Sequence, residues 1–101
     1  MEAAADTMLQ QIEELLDEEA PNVEVLESTL TEGYAQALAL EAERWRLERR
    51  LGEVARTGGA EIGDEVTSLG RQLTLADDEL GKLRSVLGTL HERARTVRAT
   101  S

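Results

Sequence analysis

IGDEVTSLGRQLTLADDELGKLRSVLGTLHERARTV, residues 62–97, places apolar side chains at Ile62, Val66, Leu69, Leu73, Ala76, Leu80, Leu83, Leu87, Leu90, Ala94 and Val97, at spacings that alternate between four and three. A pattern that holds this period over about five heptads predicts one helix of roughly 54 Å, with a single stripe that must lie along another helix.

The partner helix stands just upstream. Val23, Leu26, Leu30, Gly33, Ala37, Leu40, Arg44, Leu47, Leu51 and Val54 repeat at the same spacings, and Arg56, Thr57, Gly58, Gly59 and Ala60 interrupt the pattern. Gly-Gly supplies the positive backbone angles of a tight reversal, so a connection this short predicts an antiparallel hairpin over residues 22–98 with its turn at 57–60. A turn centred on Gly58 and Gly59 sets Gly33 against Leu83, Ala37 against Leu80, Leu40 against Ala76, Leu47 against Leu69 and Leu51 against Val66. Small faces large through the middle, which allows close approach without voids. The same register brings Arg93, Arg95 and Arg98 beside Glu24, Glu27 and the acidic arm. Arg44 stands in the seam, where the long side chain is expected to reach out to water, and otherwise to fix the register or meet an anion.

Residues 1–20 read as a separate acidic arm. Ala5, Met8, Leu9, Ile12, Leu15 and Leu16 share one face from Ala3 to Glu19, with Glu13, Glu14, Asp17 and Glu18 beside or opposite them. Its acids crowd the C-terminal end, where the helix dipole favours cations, and about fifteen residues are marginal as an isolated helix. Ala20, Pro21 and Asn22 end it, and Asn22 is a good N-cap for the next helix.

The second helix carries another stripe on its far side. Thr31, Ala35, Leu38, Ala42 and Trp45 repeat at four and three, with Tyr34 alongside. The arm, folding back after Pro21, reaches ~18 Å from Ala20 to Met8, whereas Trp45 lies ~34 Å along, so the arm covers this stripe no farther than about Leu38. Tyr34, Leu38 and Trp45, together with Met8 and Ile12 of the arm, are therefore the expected contact surface. A bare two-helix hairpin buries its seam only in part, and completion to a helical bundle by a second copy, or else by a partner protein, is the expectation. A homodimer is the first choice. A protein partner with a basic surface, meeting the acidic arm, is the other.

Composition bounds the chemistry. The chain has 101 residues, one Trp, one Tyr and no Phe, which favours an elongated all-α shape over a globular core. Of its 21 acidic residues, ten fall in residues 1–32, where no Lys or Arg occurs; the rest of the chain carries eleven acids against eleven bases. A net charge of −10 repels nucleic acid, so none is expected as a partner. Without Cys there is no thiolate nucleophile, disulfide or sulfur ligand set. His91 is the single histidine, and Gly88 stands where a Glu-x-x-His motif needs its acid. Gly63, Gly70, Gly81 and Gly88 lie inside the third helix, a heptad apart within each pair, and mark two places for close approach by another backbone or a flat ligand. No phosphate loop, dinucleotide fingerprint or nucleophile elbow is present. No catalytic residue, cofactor or metal is expected, and no run is apolar enough to span a membrane, so a cytoplasmic, non-catalytic, coiled-coil interaction protein is the reading.

The tip of the hairpin is acidic, at Glu61, Asp64 and Glu65. In this it resembles coiled-coil hairpins that reach into RNA polymerase with acids at their tip. Asp64, Ser68, Arg71 and Glu79 have spacings similar to a pattern on helical-hairpin anti-sigma factors that bind cyclic di-GMP, with Leu75 where that pattern has Gln. These resemblances imply an alternative function, a transcription regulator that binds RNA polymerase or a sigma factor.

Overall fold

Asn22 starts the first long helix as an N-cap. In the computed structural model its Oδ1 accepts hydrogen bonds from the backbone N–H of Glu24 (2.8 Å) and Val25 (3.2 Å), two donors that a helix start otherwise leaves without partners. The structure describes residues 2–59 and 62–100, with side chains from Asp6 onward. The described residues form three helices, α1 (Glu2–Asp17), α2 (Val23–Thr57) and α3 (Ile62–Thr100), in an all-α fold 63 Å long and 17 by 15 Å across. α2 and α3 make the long hairpin. Between them Gly58 has φ 68° and Gly59 φ 117°, angles that a side chain disfavours, which is why two glycines stand there.

The pairing differs from the expected register by about one helical turn. Gly33 packs against Leu87, not Leu83: a Cβ built on Gly33 would overlap the Leu87 side chain. α2 continues to Thr57 and α3 begins only at Ile62, so the reversal is centred beyond Gly59 and displaces α3 along α2. Small still faces large at Gly33. Arg44 bridges the helices, its Nε pairing with Asp77 of α3 while Glu48 stands one turn on along α2 (3.5 Å). Its side chain stays 39% exposed, so it both reaches water and marks the register. Near the turn, Arg50 donates from Nη2 (2.9 Å) and Nε (3.3 Å) to Glu65 Oε2. At the open end Arg98 pairs with Glu27, as the charge pattern suggests, while Arg95 pairs with Glu92 of its own helix.

α1 folds back and lies in the groove between α2 and α3. Met8, Ile12 and Leu15 join Leu26, Leu30, Leu83, Leu87 and Leu90 in one core, with Ile12, Leu26, Leu83 and Leu90 fully excluded from solvent. Arg93 of α3 holds the arm's end, its Nη2 donating to the carbonyls of Glu18 (2.8 Å) and Glu19 (3.1 Å). The cation that α1 lacks in its own last turn is thus supplied by another helix. α1 reaches along only half of the hairpin. Beyond it the seam thins: Val54, Leu69 and Ala76 stay buried, but Leu47, Leu51, Ile62, Val66 and Leu73 are half-buried, whereas Leu26, Leu83, Leu87 and Leu90 under α1 are closed off from water.

Candidate interaction surface

The side of α2 that α1 occupies is set by Val25, Thr29 and Glu32, which line a crevice with Gln11, Glu14, Leu15 and Glu18 of α1. At 100° per residue, Tyr34, Leu38 and Trp45 project from the other side of α2. α1 therefore covers none of them. Tyr34 remains 47% exposed, Leu38 66% and Trp45 61%. The sequence leaves open whether the arm covers this stripe as far as Leu38; it goes instead to the opposite groove, where Met8, Ile12 and Leu15 join the core and Arg93 caps its end.

The surface has internal order. Arg49 lies over the indole of Trp45, its Cζ 5.6 Å from the ring centroid, a cation–π arrangement. Arg56 folds back toward Gly52, with Nη1 3.7 Å from where a Cβ would stand. Between α2 and α3 runs an open groove of about 420 Å³ lined by Tyr34, Ala37, Leu38, Glu41, Arg84, Leu87 and Gly88. It continues past Tyr34 into a second of about 310 Å³ beside Leu30, Thr31, His91 and Ala94. Ion pairs from Glu41 to Arg84 and from Glu27 to Arg98 cross these grooves, so much of the charge at their rim is balanced within the chain. What remains is an apolar ridge over a neutralised border, and such a ridge costs little to desolvate.

No protein-family model, curated protein or solved structure matches this chain.

Met8 and Ile12, expected on the same surface, are in the bundle core at 9% and 0% exposure and stand apart from Tyr34, Leu38 and Trp45. They are the anchor of α1, closed to any partner while α1 is docked. In the acidic tip, Glu65 is engaged by Arg50 and Asp64 is exposed, while Glu61 lies outside the described residues. His91 is an exposed residue beside the seam, lining the second groove. Gly63, Gly70, Gly81 and Gly88 have open space where a Cβ would stand, so none of the described segments uses the close approach they allow. Among the described residues no group of three or more His, Cys, Asp or Glu is arranged to hold a metal ion, and no helix is long and apolar enough to cross a membrane.

Two features are not legible from the spacing alone. The charge pattern puts Arg93 near the acids without marking it as the clamp on α1; the signal is the arm's acidic C-terminal turn, which calls for a cation from elsewhere. The second is a groove of about 420 Å³, in line with α1 and beyond its N-terminus, lined by Leu47, Leu75 and Ala76 with Arg46 and Arg50 at its edge. Leu75 there is 53% exposed, and it falls outside the seam's period, which is why the pattern does not flag it.

Proposed function

We propose that this protein is a non-catalytic helical interaction module, a structural or regulatory adaptor that works by presenting the outward face of α2 to another protein chain, in the first place a second copy of itself. One observation carries this reading: with α1 docked on the opposite side, Tyr34, Leu38 and Trp45 still stand 47%, 66% and 61% exposed, spaced by the helical repeat. Isolated exposed leucines are ordinary on protein surfaces, but three large apolar side chains aligned along one ridge favour a partner. Trp is also enriched among the residues that dominate binding surfaces. Composition offers little for catalysis: the chain has no Cys, and its single His is exposed.

The test is solution mass by light scattering, run with the emission of Trp45, the sole tryptophan. Association through this face shifts the emission to shorter wavelength as concentration rises; Leu38→Glu, which keeps the fluorophore, abolishes both the added mass and the shift, and Trp45→Glu abolishes the added mass, while far-UV circular dichroism stays unchanged. An associated state that survives Trp45→Glu places the contact elsewhere and overturns this reading of the face.

A further inference from the structure

The outward face of α2 is a second heptad seam with its own order. Starting at Glu24 and stepping by four and three, it runs Ser28, Thr31, Ala35, Leu38, Ala42, Trp45, Arg49, Gly52 and Arg56. All of these are exposed except Gly52, which is half-buried under Arg56. An acid opens the seam, small and apolar residues fill its middle, and two arginines stand toward its C-terminal end. From this order we infer that two copies of the chain pair through α2 in antiparallel orientation, about a two-fold axis midway between Leu38 and Ala42; the inference rests on the reading of this face as a docking surface.

Three observations select the orientation. First, antiparallel seams interleave so that each position meets the other seam position of the partner, and here that sets Leu38 against the second copy's Ala42 and Trp45 against its Ala35. Large faces small in both layers, so the helices can approach at the short end of the ~8 to 10 Å range. A parallel pair would instead stack Trp45 on Trp45 and Ala42 on Ala42, leaving a wide layer next to a thin one. Secondly, the same operation places Glu24 beside the second copy's Arg56, both of them exposed. Parallel pairing would lay Arg49 and Arg56 on their own copies, like charge on like. Glu41, which comes nearest to its own copy at the axis, is already paired with Arg84 within the chain. Thirdly, the acidic arm lies against another face, at the open end of the hairpin. Antiparallel pairing carries the two acidic arms to opposite ends of the dimer; parallel pairing crowds them together.

The size of the contact is adequate. From Glu24 to Arg56 the ridge is about 48 Å long, and a strip about 10 Å wide buries about 1,000 Å² over both copies, the lower bound of a specific interface. Affinity on the order of micromolar is the expectation.

The chain contains no cysteine, so introduced thiols report geometry directly. Thr31 and Arg49 share a layer across the antiparallel pair, where their Cα atoms come near the ~4.4 to 6.8 Å that a disulfide spans. Each lies about 27 Å from its own copy, nine residues from the axis on either side. Under mild oxidation Thr31→Cys alone and Arg49→Cys alone should therefore stay unlinked, and an equimolar mixture of the two should give the mixed disulfide, identified by its mass. In a second arm, Glu24→Arg should weaken the dimer measured by sedimentation several-fold, and adding Arg56→Glu to the same chain should restore it. Linking of each variant to itself means a parallel pair; it overturns this geometry while leaving the face in use, provided Trp45→Glu still dissociates the dimer. No link in any combination overturns the proposal in one of two ways: a dimeric mass moves the contact off this face, and a monomeric mass at several times the expected micromolar range removes self-association altogether.

Discussion

Leu87 fills the space that a side chain on Gly33 would need. A Cβ on Gly33 would stand closer to the Leu87 side chain than real carbon contacts allow, and Leu87, 2% exposed, is hemmed in by the core. Gly33 thus serves packing, not backbone freedom, since α2 continues unbroken through it. Gly33→Ala gains up to about 1 kcal/mol of helix propensity but pushes into a full core, which typically costs about 1 to 3 kcal/mol. Net destabilisation is expected in urea titration, with Leu87→Ala costing less in the Gly33→Ala background than in the wild type. Equal cost in both backgrounds would break the assignment of this contact.

Gly63 and Gly70 should respond in the opposite direction. A Cβ at either meets nothing within 4 Å, so alanine adds helix propensity without a clash. Each substitution is expected to raise stability by about 0.5 to 1 kcal/mol, seen as a higher melting temperature with the solution mass unchanged.

Arg93 ties the end of α1 to α3 through two backbone carbonyls. Replacing it with Met keeps the aliphatic stem and removes both hydrogen bonds, with an expected cost of about 1 to 3 kcal/mol. Hydrogen exchange should show amides of α1 losing protection first, with α2 and α3 near the turn unaffected. Uniform loss of protection across the chain would argue that Arg93 supports the whole hairpin.

Ile12 is the anchor of the arm, fully buried between the long helices. Ile12→Ala should cost about 2 to 5 kcal/mol locally, as large-to-small changes in closed cores do. Leu51→Ala, in the half-buried distal seam, should cost clearly less. Chemical denaturation of the two variants decides the order, and a reversal would mean that the distal half carries more of the stability than its burial indicates.

The ion pair between Arg44 and Asp77 lies at a seam position yet leaves the two side chains 39% and 51% exposed. Pairs this open contribute about 0 to 1 kcal/mol. Arg44→Leu is therefore expected to be neutral or stabilising, and a loss above ~2 kcal/mol in urea titration would show that the pair does more than mark register.

Repetition along the chain was enough to define the elements. The alternating spacing from Ile62 to Val97, the matching seam from Val23 to Val54, the cap at Asn22 and the reversal at Gly58 and Gly59 are local features, each governed by side-chain periodicity or by the allowed angles of a few residues. The ridge of Tyr34, Leu38 and Trp45 was visible for the same reason. Tertiary packing settled the rest. A heptad seam repeats, so sliding one helix by a turn exchanges Leu83 for Leu87 opposite Gly33 with little change in pattern, and only the full length of the turn fixes which leucine fills the gap. The place of α1 was equally ambiguous, because its apolar face matches either side of α2; in the fold it takes the side on which Met8, Ile12 and Leu15 join the core and Arg93 holds its end, and that choice leaves Trp45 in the open.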